Sequence, residues 1–118
     1  MITNERTTNW QVSINDPNLI VEDAEDIAQC VWTILMTVRG TDPLRPQFGS
    51  GIWQFIDQPM TQAQPALVYE VFESLGRWEP RIRIDRVRVY DADFDKKKID
   101  IEATVVASAA QITVTVNL

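Results

Sequence analysis

The sequence predicts an α+β fold, with two helices packed on an antiparallel β-sheet formed mainly by the C-terminal half. Two apolar stripes at helical spacing occupy the first two thirds of the chain, and alternating apolar residues dominate the last third. Both stripes need one shared core, and 118 residues is the usual size of a single domain. We therefore expect one domain over residues 1–118, in which residues 1–9 are a flexible tail.

The N-terminal part predicts a short strand followed by the clearest helix of the chain. Apolar residues alternate over 10–14, and the turn-forming run NDPN follows at 15–18. Acidic residues then crowd the start of a helix predicted over 23–38, where they suit the positive end of the helix dipole, and Gly40 suits its C-cap. The apolar stripe of this helix consists of Ile27, Cys30, Val31, Ile34, Leu35 and Val38.

Residues 40–60 form a connection that we expect to pack against the body of the domain. Three prolines and three glycines exclude a regular element throughout, although residues 52–56 suit a single helical turn. In water, the large apolar side chains of this segment would form an exposed patch, so the core has to cover them. They are Leu44, Phe48, Ile52, Trp53, Phe55 and Ile56.

A second helix is predicted over 65–76. Pro65 suits its first position, where a missing N–H costs nothing, and Gly76 is predicted to end it. Pro80 then prevents continuation and favours extended geometry at Glu79. The apolar stripe consists of Leu67, Val68, Val71, Phe72 and Leu75.

Three strands are predicted after the second helix. The first, over 82–90, changes the phase of its alternation at Asp85-Arg86, so we expect a β-bulge there to keep the apolar residues on one face. The others span 99–107 and 112–118. The last strand ends the sequence given and carries no lysine or proline, so its edge suits an added strand through Ile112, Val114 and Val116.

Composition excludes several classes of function. The chain has no histidine and one cysteine, which excludes Ser-His-Asp triads, Cys-His dyads, imidazole metal ligands and an intrachain disulfide. A net charge of −6 disfavours nucleic acid, although residues 61–90 are locally basic with five arginines. No apolar run reaches the ~20 residues of a membrane span, and no secretory signal is visible. We expect no cofactor, no metal site, no nucleic acid and no membrane partner.

Three further features of the sequence could each suggest a function, but a structural role explains them better. The alternating carboxylates of 91–95 suggest a calcium loop, but Lys96 stands where the turn needs glycine, so a solvated hairpin end is favoured. Cys30 is predicted to be a core residue, and Trp32 either covers the loop or meets a partner. Two carboxylates suffice for glycoside hydrolysis, but seventeen acids single out no pair, so that activity stays only an alternative.

The run RWEPRIRI at 77–84 is the most informative stretch. Pro80 holds the backbone between Glu79 and Arg81, and side chains two apart on an extended segment point the same way. The planar guanidinium fork suits a carboxylate, so the two either clamp each other or reach a partner together. The alternative is an ordinary surface ion pair that contributes under ~1 kcal/mol.

Two runs resemble the signatures of the small baseplate wedge proteins of contractile phage tails. The first comprises ILMT at 34–37, RGT at 39–41 and PQFGS at 46–50, and the second is WEPRI at 78–82. This family includes sheath initiators, baseplate assembly protein W and the matching subunit of type VI secretion baseplates. The resemblance covers about residues 20–118 and implies a structural protein rather than an enzyme.

The resemblance also implies partners and a location. These are other baseplate wedge proteins, the tail sheath protein and the tail tube, within a virion tail that is assembled in the host cytoplasm. Glu79, Pro80 and Arg81 match the Glu-Pro-Arg motif implicated in joining the wedge, and strand addition would template the first sheath ring. The family has also been called "lysozyme-like", but this sequence offers no identifiable catalytic acid and nucleophile to support that name. A regulatory binding module is another alternative, because a bacterial stress anti-adaptor resembles this fold.

Overall fold

A computed structural model of the chain describes residues 10–14, 21–56, 58–91 and 97–118. It confirms the α+β prediction, because two helices pack on one four-stranded antiparallel sheet. Helix α1 contacts β1 and β4, helix α2 contacts β2, and the two helices contact each other. In chain order the elements are β1 (Trp10–Ile14), α1 (Val21–Met36), a short 3₁₀ turn (Ile52–Gln54), α2 (Met60–Trp78), β2 (Ile82–Asp91), β3 (Lys97–Val105) and β4 (Gln111–Asn117).

The expected β-bulge is present in β2. The register between β2 and β3 shifts between Ile84 and Arg86, where Asp85 has no partner of its own. The shift keeps the apolar residues of β2 on the core face, because each still opposes an apolar residue of β3. The four pairs are Ile82 with Val105, Ile84 with Ala103, Val87 with Ile101, and Val89 with Ile99.

The position of β4 corrects the expectation of a free C-terminal edge. The strand order is β1-β4-β3-β2, so β4 is hydrogen-bonded on both sides. Ile112, Val114 and Val116 are no more than 1% exposed and belong to the core. The expectation failed because β1, from the far end of the chain, pairs with β4, and alternation within a strand does not name its partner. The described sheet has its edges at β1 and β2.

Both helices begin before their predicted starts. Helix α1 ends at Met36, because Val38 already forms a parallel bridge with Ser50. Helix α2 begins five residues earlier than predicted and contains both Pro65 and Gly76. The predictions that Pro65 is its first residue and that Gly76 ends it are therefore wrong. The final two strands have the predicted lengths but lie two residues and one residue nearer the N-terminus, at 97–105 and 111–117.

The connection between the helices is covered only in part. Phe48 and Ile52 are buried as expected, and the predicted helical turn appears at Ile52–Gln54. Leu44 is 91% exposed and Trp53 is 54% exposed, so the expectation that the whole apolar set is covered is wrong. In the helices, Phe72 is 42% exposed and Cys30 is half-buried. Both were predicted to lie in the core, and both predictions are wrong. The indole of Trp32 packs against the core.

Hydrogen bonds hold this connection against both helices and the sheet. The buried Ser50 hydroxyl donates to the Leu35 carbonyl over 2.5 Å, and the Ser50 N–H donates to the Thr37 carbonyl over 2.9 Å. From α2, the carboxylate of Glu70 accepts from the Gly51 N–H and from the Arg39 guanidinium. From β3, the Lys97 ammonium donates to the Ile56 carbonyl over 2.6 Å. The connection is thus a fixed part of the fold.

Three sequence predictions lie on residues outside the described ranges: the flexible tail at 1–9, the turn at 15–18 and most of the calcium-like run, at 92–96. In the part of the chain that is described, no helix combines the length and apolar character that spanning a membrane requires.

Candidate functional site

The two sequence signatures meet at one open groove. It has a volume of about 600 Å³ and lies between α1, the connection after α1 and the segment that follows α2. The lining residues are Asp26, Gln29, Cys30, Thr33, Ile34, Arg45, Phe48, Trp78, Glu79, Pro80 and Arg81. We call it the Arg81 groove.

The Glu79–Arg81 clamp forms one end of the groove. Nε of Arg81 lies 2.8 Å from Oε1 of Glu79, and Nη2 lies 3.0 Å from Oε2, which is a bidentate pair. The third guanidinium nitrogen, Nη1, donates to Oδ2 of Asp26 over 2.7 Å. The prediction that Glu79 and Arg81 lie on one side of the segment is confirmed, and α1 adds a second carboxylate that the sequence did not reveal.

The local backbone explains why the clamp forms. The Glu79 N–H donates to the Leu75 carbonyl, which completes the last turn of α2, and Pro80 then prevents another turn. Glu79 has left the helical region, which a following proline disfavours, with φ −127° and ψ 79°. The Arg81 carbonyl accepts from the Val106 N–H over 2.9 Å, so the turn between β3 and β4 fixes the other end.

Burial divides the clamp into an inner carboxylate and an outer cation. The side chain of Glu79 is 4% exposed, whereas those of Arg81 and Asp26 are 44% and 62% exposed. The alternative of an ordinary surface ion pair is therefore wrong for Glu79, whose carboxylate is buried. Hydrogen bonds to Glu79 first, and to Asp26 second, raise the pKa of Arg81 above its usual range. The clamp thus presents a permanently charged, oriented guanidinium to the groove.

An aromatic contact joins the two signatures on the other side of the groove. The rings of Phe48 and Trp78 meet edge to face, with centroids 5.1 Å apart. The guanidinium of Arg45 lies 3.9 Å from the centroid of Phe48, a cation–π contact, and also pairs with Asp42. Sequence reasoning missed Arg45, although its place three residues before an apolar aromatic was visible.

The arrangement suits binding rather than catalysis. The Glu79 carboxylate already accepts three N–H groups of Arg81, two from its side chain and one from its backbone, so its oxygens are engaged in the clamp. Asp26 holds the same guanidinium from a solvated position. Within the described ranges, no group of three or more Cys, Asp or Glu side chains is placed to hold a metal ion.

Of the other predicted site residues, Pro80 reaches this groove and the three residues of β4 do not. Pro80 is exposed beside Arg81 and lines it. Ile112, Val114 and Val116 do not line it, because they face the core from the middle of the sheet.

Comparisons with known proteins agree with the two signatures. The family model "Baseplate wedge protein gp25" matches residues 21–110. Baseplate protein W of Escherichia phage P2 is 36% identical over 73 residues, which are 58% of this chain and 61% of that protein. A solved structure of a Geobacter sulfurreducens protein, proposed to be a tail lysozyme, superposes with a TM-score of 0.74 at 30% identity, covering 85% of this chain and 93% of that one. Since the family model covers most of the sequence, including both signatures and the whole Arg81 groove, the chain belongs to the gp25 family of baseplate wedge proteins.

Proposed function

We propose that this protein is a structural component of a contractile-tail baseplate, and that it docks on other wedge proteins through the Arg81 groove. The observation that carries the proposal is the meeting of both family signatures at this groove, through the ring contact of Phe48 with Trp78 and the Glu79–Arg81 clamp. The segment around Pro80 is exposed although its backbone is fixed at both ends. A pre-ordered segment of this kind loses little conformational entropy on binding.

The chemistry of the groove indicates what the wedge partner offers. The clamp leaves the outer part of Arg81 solvent-accessible, and Arg45 lies over the aromatic pair. Two oriented guanidinium groups and an aromatic pair in one groove favour a partner segment with carboxylates and an apolar anchor. The tail tube and the sheath are the further partners of the proposal, and the virion tail is its location.

Filling the groove tests this docking directly. We expect Gln29→Trp, at an exposed groove position on α1, to prevent incorporation into baseplates without lowering stability by more than ~0.5 kcal/mol. Gln62→Trp, at an exposed position on α2 outside the groove, is the matched control and should be incorporated normally. Pull-down with the neighbouring wedge proteins, together with thermal unfolding, measures both effects. Normal incorporation of a folded Gln29→Trp protein would contradict the proposal.

The second part of the proposal is that this protein templates the first sheath ring by strand addition. Among the described residues the sheet ends in an edge strand on each side, β1 and β2, and an extended segment of a partner can continue such a sheet. In cryo-electron microscopy of complete tails, the sheet should gain a fifth strand from a sheath subunit. A first sheath ring that contacts this protein through side chains alone would contradict strand addition while leaving the docking proposal intact.

A lytic activity is the second candidate, because the similar Geobacter sulfurreducens structure is described as a tail lysozyme. We expect the purified protein to leave peptidoglycan intact, since the carboxylates at the groove are held by Arg81 rather than paired across a cleft. Release of soluble muropeptides is the measurement. Turnover above background that disappears in Asp26→Asn would overturn the expectation.

A further inference from the structure

Strand β2 forms the longer edge of the sheet. It has ten residues against five in β1, so it can form about twice as many ladder bonds with an added strand. After the bulge, the pairing of residues 86–91 with β3 is regular. This regular stretch is where an incoming strand would find evenly spaced backbone groups.

A row of arginines lies on the outer face of β2. Arg83, Arg86 and Arg88 oppose Thr104, Glu102 and Asp100 of β3, and directly opposed residues share a face of the sheet. Their side chains are 72%, 66% and 53% exposed. The ion pairs they make with Asp85, Glu102 and Asp100 span 3.5–4.0 Å, so they are loose surface pairs of small net energy. Such guanidinium groups can exchange these partners for new carboxylates at little cost.

Helix α2, which packs on the opposite, core face of the sheet, carries apolar residues without charge on one of its sides. Glu70, Glu73 and Arg77 face the connection and each other, where they make ion pairs and hydrogen bonds. At 100° per residue, the opposite side of the helix carries Val68 and Phe72, whereas Tyr69 lies next to Glu73 on the solvent side. Tyr69 is 65% exposed and Phe72 is 42% exposed. Because α2 packs on β2, the last strand of the sheet, this side of the helix looks out over the β2 edge.

We infer that the edge of β2 and the side of α2 that carries Val68 and Phe72 form a ledge for an amphipathic strand of a partner, acidic on one face and apolar on the other. An added strand alternates its side chains between the two faces of the sheet. On the outer face they would meet Arg86 and Arg88, so carboxylates are favoured. On the helix side they would meet Val68 and Phe72, so apolar groups are favoured. This inference rests on the proposed strand addition and specifies its place and chemistry.

A model peptide tests the ledge on the isolated full-length protein. The probe is a capped ten-residue peptide of alternating Glu and Val, with a Lys/Val peptide as its counterpart. In NMR titrations, the Glu/Val peptide should shift the amide signals of 84–91 and 68–76, and the Lys/Val peptide should not. Shifts confined to β1, or equal binding of both peptides, would overturn the inference.

Two pairs of variants separate the contribution of the arginines to peptide binding from that of the apolar side of α2. Arg86→Gln/Arg88→Gln should weaken Glu/Val peptide binding by about 10-fold. Lys98→Glu also changes the net charge by two units, but on the outer face of β3, one strand further from the edge. This variant should weaken binding of the Glu/Val peptide by less than about 3-fold. Phe72→Ser should also weaken binding, whereas Trp53→Ser, an exposed aromatic on the 3₁₀ turn, should not. Equal effects within either pair would contradict the ledge.

Tail assembly distinguishes this inference from the docking proposal. Arg86→Gln/Arg88→Gln leaves the Arg81 groove unchanged, so the variant should enter baseplates that then carry bare tubes. Incorporation followed by normal sheaths would overturn the ledge and leave docking standing. Absence of the variant from baseplates would also overturn it, because the β2 edge would then serve wedge docking rather than an added sheath strand.

Discussion

Arg81→Ala is expected to lower the free energy of unfolding by about 3 kcal/mol, far more than a surface ion pair contributes. The change leaves the Glu79 carboxylate, which is 4% exposed, without its two guanidinium hydrogen bonds. We place the value at the lower end for a buried pair because 44% of the arginine side chain is exposed. Urea denaturation measures the effect.

Two matched variants identify the cause. Asp26→Ala removes an exposed acceptor of the same guanidinium and should cost under ~1 kcal/mol. Glu79→Met/Arg81→Met removes both charges and keeps apolar volume, so it should fall within ~1 kcal/mol of the unaltered protein. If Arg81→Ala also falls within that margin, the Glu79 carboxylate is hydrated in solution. Assembly defects of Arg81→Ala are therefore best compared with those of the double variant, which lacks the clamp but keeps the fold.

Gly49→Ala is expected to destabilise the protein by about 3 kcal/mol, and the strain has two sources. The φ angle of Gly49 is +109°, which side-chain-bearing residues rarely adopt. An added Cβ would also run into the carbonyl group of Thr37, whose oxygen accepts the Ser50 N–H. Neither group can move without breaking the link between the connection and the end of α1.

Two other glycines serve as controls in the same denaturation experiment. Gly40 also has a positive φ, +97°, but a Cβ there meets nothing within 4 Å, so Gly40→Ala should cost only about 1 kcal/mol. Gly76 lies inside α2 with open space around it, so Gly76→Ala should stabilise by about 0.5–1 kcal/mol. Equal losses at Gly49 and Gly40 would show that the φ angle alone matters and that the Thr37 contact relaxes.

The spacing of apolar residues predicted a helix or strand well wherever a single periodicity runs through the whole segment. The alternation of β2 and its change of phase at Asp85 predicted both the strand and the bulge, because a core on one face forces the register. Helix ends were less predictable. Val38 continues the apolar stripe of α1, but its bridge to Ser50 draws the backbone out of the helix. Only tertiary structure contains that information.

Long-range pairing explains the remaining differences. Glu79 and Arg81 were identified from two-residue spacing, but Asp26 is 55 residues away, and the depth of Glu79 depends on how α1 packs. The same limit applies to β4, since Ile14 and Ile112 are neighbours in the sheet although nearly the whole sequence separates them. Spacing in sequence describes what one segment can do, whereas burial depends on which segments meet.

The three residues 79–81 also form a mechanical junction. Through the Glu79 N–H they are bonded to the last turn of α2, through the Arg81 carbonyl to the turn between β3 and β4, and through the Arg81 side chain to α1. A load applied by a partner at Pro80 would therefore be divided at once among both helices and the sheet. Such a junction would suit the wedge docking proposed above, because a partner bound at Pro80 would be attached to the whole domain and not to one element of it.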